Sequence, residues 1–173
     1  MKLARRPAPL LVRRAPASLA GLYLAGRKRN QIVCSPLWWI AAVCEGMRLE
    51  RIPLDPCAHP KPAKHFAIQN WTRGGLDAPW LHPSYANPPF NELVRWMRHA
   101  RACAMLTGFP VVLLGPWRSH RIGFCEALAG ATVLFFKAFP FDGQKNATPF
   151  PCFAAAWHVQ LPRTRYEMDR KAW

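Results

Sequence analysis

The sequence predicts an α/β domain built on a mostly parallel sheet whose last strand is antiparallel. Two observations carry this. Apolar runs bounded by turn residues alternate with stretches in which apolar residues recur at helical spacing, up to about residue 137. Beyond that point a polar, turn-forming loop from Phe141 to Pro151 leads into a final apolar run, Cys152–Val159, which returns beside its predecessor.

The 173 residues suffice for one domain with a single sizeable core. Residues 1–30 carry basic pairs at Arg5-Arg6, Arg13-Arg14 and Arg27-Lys28 and no acidic residue. Pro7, Pro9 and Pro16 rule out a long helix there, and Arg13-Arg14 interrupt the apolar core that a secretory signal needs. This segment reads as a flexible basic arm that gains phosphate contacts, against a disordered tail or a misassigned start; a transit peptide shares its composition. The folded domain is expected over residues 31–165, with a tail over 166–173.

Ser35 suits a helix N-cap and Pro36 the first helical position, so a helix is expected to about Met47. Leu37, Ile40, Ala41 and Cys44 would share one of its faces. Trp38 and Trp39 are candidates for the core or for the cover of a flat ligand ring. Residues 51–58 form a short apolar strand ending in Asp55-Pro56. An acid at the carboxyl end of a parallel strand faces the crevice where α/β folds bind ligands, so Asp55 is placed to hold a positively charged amine. Asp-Pro is equally a turn initiator. Residues 59–80 are turn-rich, with a strand expected only at His65–Ile68. Asp77 and Trp80 are either pocket-lining or part of a surface turn.

The clearest helix covers residues 91–106, with Leu93, Trp96, Met97, Ala100 and Ala104 in one stripe. Arg95, Arg98 and Arg101 lie off it, as a solvated face or a phosphate track. A buried strand at Phe109–Pro116, a helix from Ser119 to Ala129 and a strand at Thr132–Phe136 follow.

The formal net charge is +15 and the pI about 10.5. Such a balance suits a polyanionic partner, either nucleic acid or an anionic membrane surface. Eight Trp and ten Phe among the arginines favour nucleic acid, because both residue types stack on bases. No apolar run approaches the length of a membrane span. The six cysteines contain no C-x-x-C pair and no His at zinc-finger spacing, which argues against a metal site and for buried thiols in a reducing cytosol.

The most informative stretch is Asn87-Pro88-Pro89-Phe90, expected between a buried strand and a helix. An exocyclic amine on a flat ring is a poor nucleophile, because its lone pair is delocalised. An Asn side-chain oxygen and one backbone carbonyl can accept its two N–H bonds and localise that lone pair. Pro88 and Pro89 fix their own φ angles and restrict the residues before them, aiming the carbonyl rigidly. Phe90 offers a face on which a base can stack. On its own, the same tetrapeptide also reads as a helix-start turn with Asn87 as N-cap.

Taken in order, Ser35-Pro36, Leu54-Asp55-Pro56-Cys57-Ala58, Gly75-Leu76-Asp77, Asn87-Pro88-Pro89-Phe90 and the Phe141-Asp142-Gly143 loop resemble the compact phage-type (Dam-like) DNA adenine methyltransferases. The resemblance runs from about Cys34 to Leu161. It implies an abbreviated Rossmann-like methyltransferase sheet, S-adenosylmethionine as cofactor, and duplex DNA as substrate with the target adenine flipped out. It further implies a phage- or prophage-encoded protein in the bacterial cytoplasm, with no metal and no membrane. By motif, Asn87 and the Pro88 carbonyl would bind the amine, with Pro89 fixing the turn and Phe90 stacking on the adenine. Asp55 and Pro56 would lie near the methionine part of the cofactor, Ser35, Pro36 and Trp38 would close its pocket, and Asp77 would contribute to it. Two features depart from the family. No Gly-x-Gly loop follows the first strand, and the interval from Asp55 to Asn87 is too short for the several strand–helix units of a full methyltransferase sheet, and also for a separate target-recognition domain. A methyltransferase acting on RNA or a protein amide, and an inactive nucleic-acid-binding remnant of the fold, stand as alternatives.

Overall fold

The computed structural model describes residues 34–164. The basic arm expected over residues 1–30 and the tail over 166–173 lie outside the described residues. Within them the order is helix α1 (Leu37–Met47), strand β1 (Leu54–Asp55), a 3-10 turn (Pro62–Lys64), β2 (Gln69–Asn70) and β3 (Ser84–Ala86). Helix α2 (Leu93–Thr107), β4 (Val111–Pro116), a short α3 (Phe124–Ala127), β5 (Thr132–Phe136) and β6 (Cys152–Trp157) follow.

The six strands form one mixed sheet in the order β2-β1-β3-β4-β6-β5. The β1–β2, β1–β3 and β3–β4 pairs are parallel. The last strand is antiparallel, as expected, and pairs with β5; it also pairs with β4 and so lies inside the sheet. Every residue of β4 and β6 is buried, the pattern of strands covered on both faces.

Alternation along these strands feeds two cores. Val112, Leu114, Ala154 and Ala156 pack with Trp39, Val43 and Met47 of α1 and with Phe136. Val111, Leu113, Phe153, Ala155 and Trp157 pack with Trp96, Met97 and Ala100 of α2 and with Phe124 and Ala127 of α3. Helices therefore cover both faces of the sheet.

Several elements differ from the sequence expectation. Pro36, not Ser35, is the N-cap of α1, and no side chain caps it, because the Ser35 hydroxyl is engaged with Tyr85 instead. The buried stripe of α1 is Trp39, Ala42, Val43 and Met47, while Leu37 is 76% exposed. The Trp39 ring, fully buried, turns the helix onto its side. The strand expected at His65–Ile68 forms at Gln69–Asn70, where it pairs with Leu54 and Asp55. The helix expected from Ser119 shrinks to four residues, because Gly123 sits at φ 74° immediately before it. Helix α2 matches its predicted stripe but opens at Leu93 with Glu92 as N-cap. Asn87 therefore lies well ahead of the helix and does not cap it.

Candidate functional site

At β1 and β3 the connections diverge: β1 is flanked by β2 on one side, and β3 by β4 on the other. In open α/β sheets the carboxyl ends of strands at such a point frame a crevice. A cavity of about 540 Å3 lies there, within the range of roughly 300–1,000 Å3 common for small-molecule and cofactor sites. Asp55 and Pro56 line it from the end of β1, and Asn87 and Pro89 from the segment after β3. Ser35 enters from the residues before α1, and Gly74 and Gly75 from the loop before β3.

Five of the site residues predicted from sequence thus meet on one cavity: Ser35, Asp55, Pro56, Asn87 and Pro89. The other five lie outside its lining. Pro88 and Pro36 are buried beside it. Trp38 is half-buried, edge-on to Trp39 and Phe139. Asp77 is exposed, its N–H donating to the Gly74 carbonyl at 2.9 Å. Phe90 is half-buried, edge-on to Phe150 and tilted against Phe141, and it lines a smaller adjoining groove. The Pro89 carbonyl accepts the Glu92 N–H at 3.1 Å, whereas among the described residues no backbone N–H takes the Pro88 carbonyl.

The electrostatics of the wall centre on Asp55. It is 4% exposed; its Oδ1 accepts the Cys57 N–H at 2.9 Å, and among the described residues it has no ion pair. Burial pushes its carboxyl up to about 7, against the opposing pull of that one hydrogen bond. Its neighbours are held neutral. Burial, then the charges of Asp55 and Glu92, push the Cys57 thiol up to about 12. Burial also raises the phenol of Tyr85, despite its hydrogen bond to Ser35; the Ser35 Oγ lies 2.5 Å from the Tyr85 hydroxyl. Trp96 also lines the cavity. The Trp96 indole N–H is buried and has no hydrogen-bond partner among the described residues.

The surroundings of the cavity were only partly marked in the sequence. Gly75 is buried beneath β1, where a Cβ would strike the Pro56 carbonyl oxygen and the Trp96 ring. The Gly74-Gly75 pair marked a turn, but not this close approach. Trp80, a pocket candidate from sequence, is fully buried and donates its indole N–H to the Gly75 carbonyl at 2.7 Å. Lys64 and Asp142 join at 2.6 Å at the rim, and the Asp142 N–H donates to the Cys34 carbonyl at 3.0 Å. These contacts span most of the chain, and no local pattern announces them.

Among the described residues no helix is long and apolar enough to cross a membrane, and no group of three or more His, Cys, Asp or Glu residues could hold a metal ion. No family model, curated protein or solved structure matches the chain.

Proposed function

We propose that the chain is an S-adenosylmethionine-dependent methyltransferase acting on the exocyclic N6 amine of adenine in DNA, with the target base flipped out of the duplex. One observation carries the reading: Asp55 and, far from it in sequence, Asn87 and Pro89 converge on a single cavity at the switch point of the sheet. The inserted antiparallel β6 and the parallel strands β1, β3 and β4 agree with a Rossmann-like methyltransferase sheet in abbreviated form.

The residues present fit the cofactor. The cavity has the volume for it, and Asp55 is a buried carboxyl in want of a cation, suited to the ammonium of an amino-acid moiety. Pro56 and Ser35 complete this side. When bound, S-adenosylmethionine would supply an electrophilic methyl group and leave as the neutral thioether. The surplus proton on the methylated amine would pass to water, since Asn87 and the Pro88 carbonyl are acceptors of hydrogen bonds and not bases.

The chain's own part is orientation. Asn87 and the Pro88 carbonyl accept the two N–H bonds of the amine, drawing its lone pair out of the ring. The two prolines hold this geometry without reorganisation on binding. Phe90, on the groove side of the turn, meets the base as it reaches Asn87.

The test is transfer of labelled methyl from S-adenosylmethionine to unmethylated DNA by the wild type and by Asn87→Ala. Label in adenine is expected, with a loss on the order of a hundredfold or more in the variant and cofactor binding retained. Near-normal activity of the variant would sink the mechanism. Label on RNA or protein instead of DNA would reassign the substrate, and an absence of both label and cofactor binding would leave only a nucleic-acid-binding module.

A further inference from the structure

Beyond the end of β4 the chain runs through Trp117–Gly123 before α3. This segment and the start of α2 enclose a groove of about 160 Å3, bordered by Phe90, Glu92, Arg95, Arg118, Arg121 and Phe124. Of the nine residues that line it, three are arginines and one is an acid. Arg95 is matched by Glu92 at 3.5 Å, whereas Arg118 and Arg121 have no ion pair among the described residues. A 2.9 Å bond from the Arg121 N–H to the Arg118 carbonyl holds their backbones in one turn. Burial and the nearby charge of Arg121 both lower the pKa of Arg118, as expected of like charges kept together without a counter-ion. Beside them Ile122 is 96% exposed, an apolar tip of the kind that inserts at an unstacked base step.

Groove and cavity share a wall. Asn87 and Pro89 line the cavity, and Phe90 and Asn91, next in the chain, line the groove. A base seated against Asn87 would therefore have Phe90 and the two unmatched arginines in the adjoining groove. A guanidinium fork is suited to a phosphate, and an aromatic floor beside it tolerates any flanking base.

We propose that this groove is a phosphodiester site, in which Arg118 and Arg121 grip the nucleic-acid strand flanking the base held in the cavity. It rests on the reading that the substrate is a nucleic acid.

The test compares Arg118→Gln/Arg121→Gln with Lys137→Gln/Arg163→Gln in the full chain. The second pair removes the same charge at exposed positions outside the groove. Affinity for a short adenine-containing duplex is measured across a salt series, with circular dichroism melts showing that each variant folds. The groove pair should reduce the slope of log K against log salt by about 1–2 relative to the control pair. Equal slopes for the two pairs overturn the proposal. Labelled-methyl transfer by the wild type is run alongside. Label with equal slopes removes the groove and leaves the methyltransferase reading standing; a groove-specific slope without label does the reverse.

Discussion

At the scale of single residues, two side chains on the cavity are set for opposite tasks. Asn87 carries no charge to lose, so its contribution rests on where its amide sits, and it should act alike across the pH range. Asp55 is a titrating group. Its carboxyl is pushed up to about 7 from an ordinary value of 3.8, so between about pH 4 and 7 the folded state binds a proton that the unfolded chain has released. The stability tied to this proton is therefore full below about pH 4 and is lost as pH rises through 7. Asp55→Asn removes the penalty of a buried charge. Its melting temperature should match that of the wild type at about pH 3.5 and exceed it at pH 8, by an amount corresponding to a few kcal/mol at about 1.4 kcal/mol per pKa unit. Melts at the two pH values check this, and a gap that fails to widen with pH would show that Asp55 is not desolvated. A cationic ligand reverses the sense, since it is the carboxylate that binds it. Binding of such a ligand near pH 7 should expel part of a proton, seen as a heat that depends on the ionisation enthalpy of the buffer.

At the scale of elements, the cavity depends on close backbone approach more than on large side chains. Gly75 lies against the Pro56 carbonyl and the Trp96 ring, so the loop before β3 can reach the end of β1 only without a Cβ. Gly75→Ala should destabilise the fold by about 1–3 kcal/mol through overpacking and weaken binding of the S-adenosylmethionine proposed for the cavity as the loop is pushed outward. Urea unfolding and a cofactor titration measure the two effects, and unchanged values in both would remove Gly75 from the site. The elements the sequence foretold well are those with a long period or a full apolar run. The α2 stripe from Leu93 to Ala104 and the strands β4, β5 and β6 fall within the predicted segments. The misplaced elements are short ones, whose position is decided by partners. Strand β2 exists as two residues paired with Leu54 and Asp55, and α3 is four residues held between Gly123 and the α2 core. The same division holds in the site. Asp55 and the Asn87 turn were legible because chemistry and local stiffness coincide in a few consecutive residues. The Lys64–Asp142 rim and the Trp96 wall arise only from tertiary contact.

At the scale of the whole molecule, β6 holds the two halves of the sheet together. On one side it extends the parallel strands that carry the cavity, and on the other it pairs with β5. Trp157 at its end is fully buried in the α2 core and donates its indole N–H to the Ala129 carbonyl at 3.2 Å. Trp157→Ala should cost about 3–5 kcal/mol, a large share of a stability of roughly 5–15 kcal/mol. The midpoint of urea unfolding should fall accordingly, and a loss under about 1 kcal/mol would mean that the strand is anchored elsewhere. The position of β6 also bears on how the chain is made. The final strand of this sheet is an interior one, so β4 and β5 wait with a vacant lane between them until residues 152–157 have left the ribosome. Strand edges left open in this way, together with non-local pairing, are the features that make a chain slow to fold and open to association before it closes.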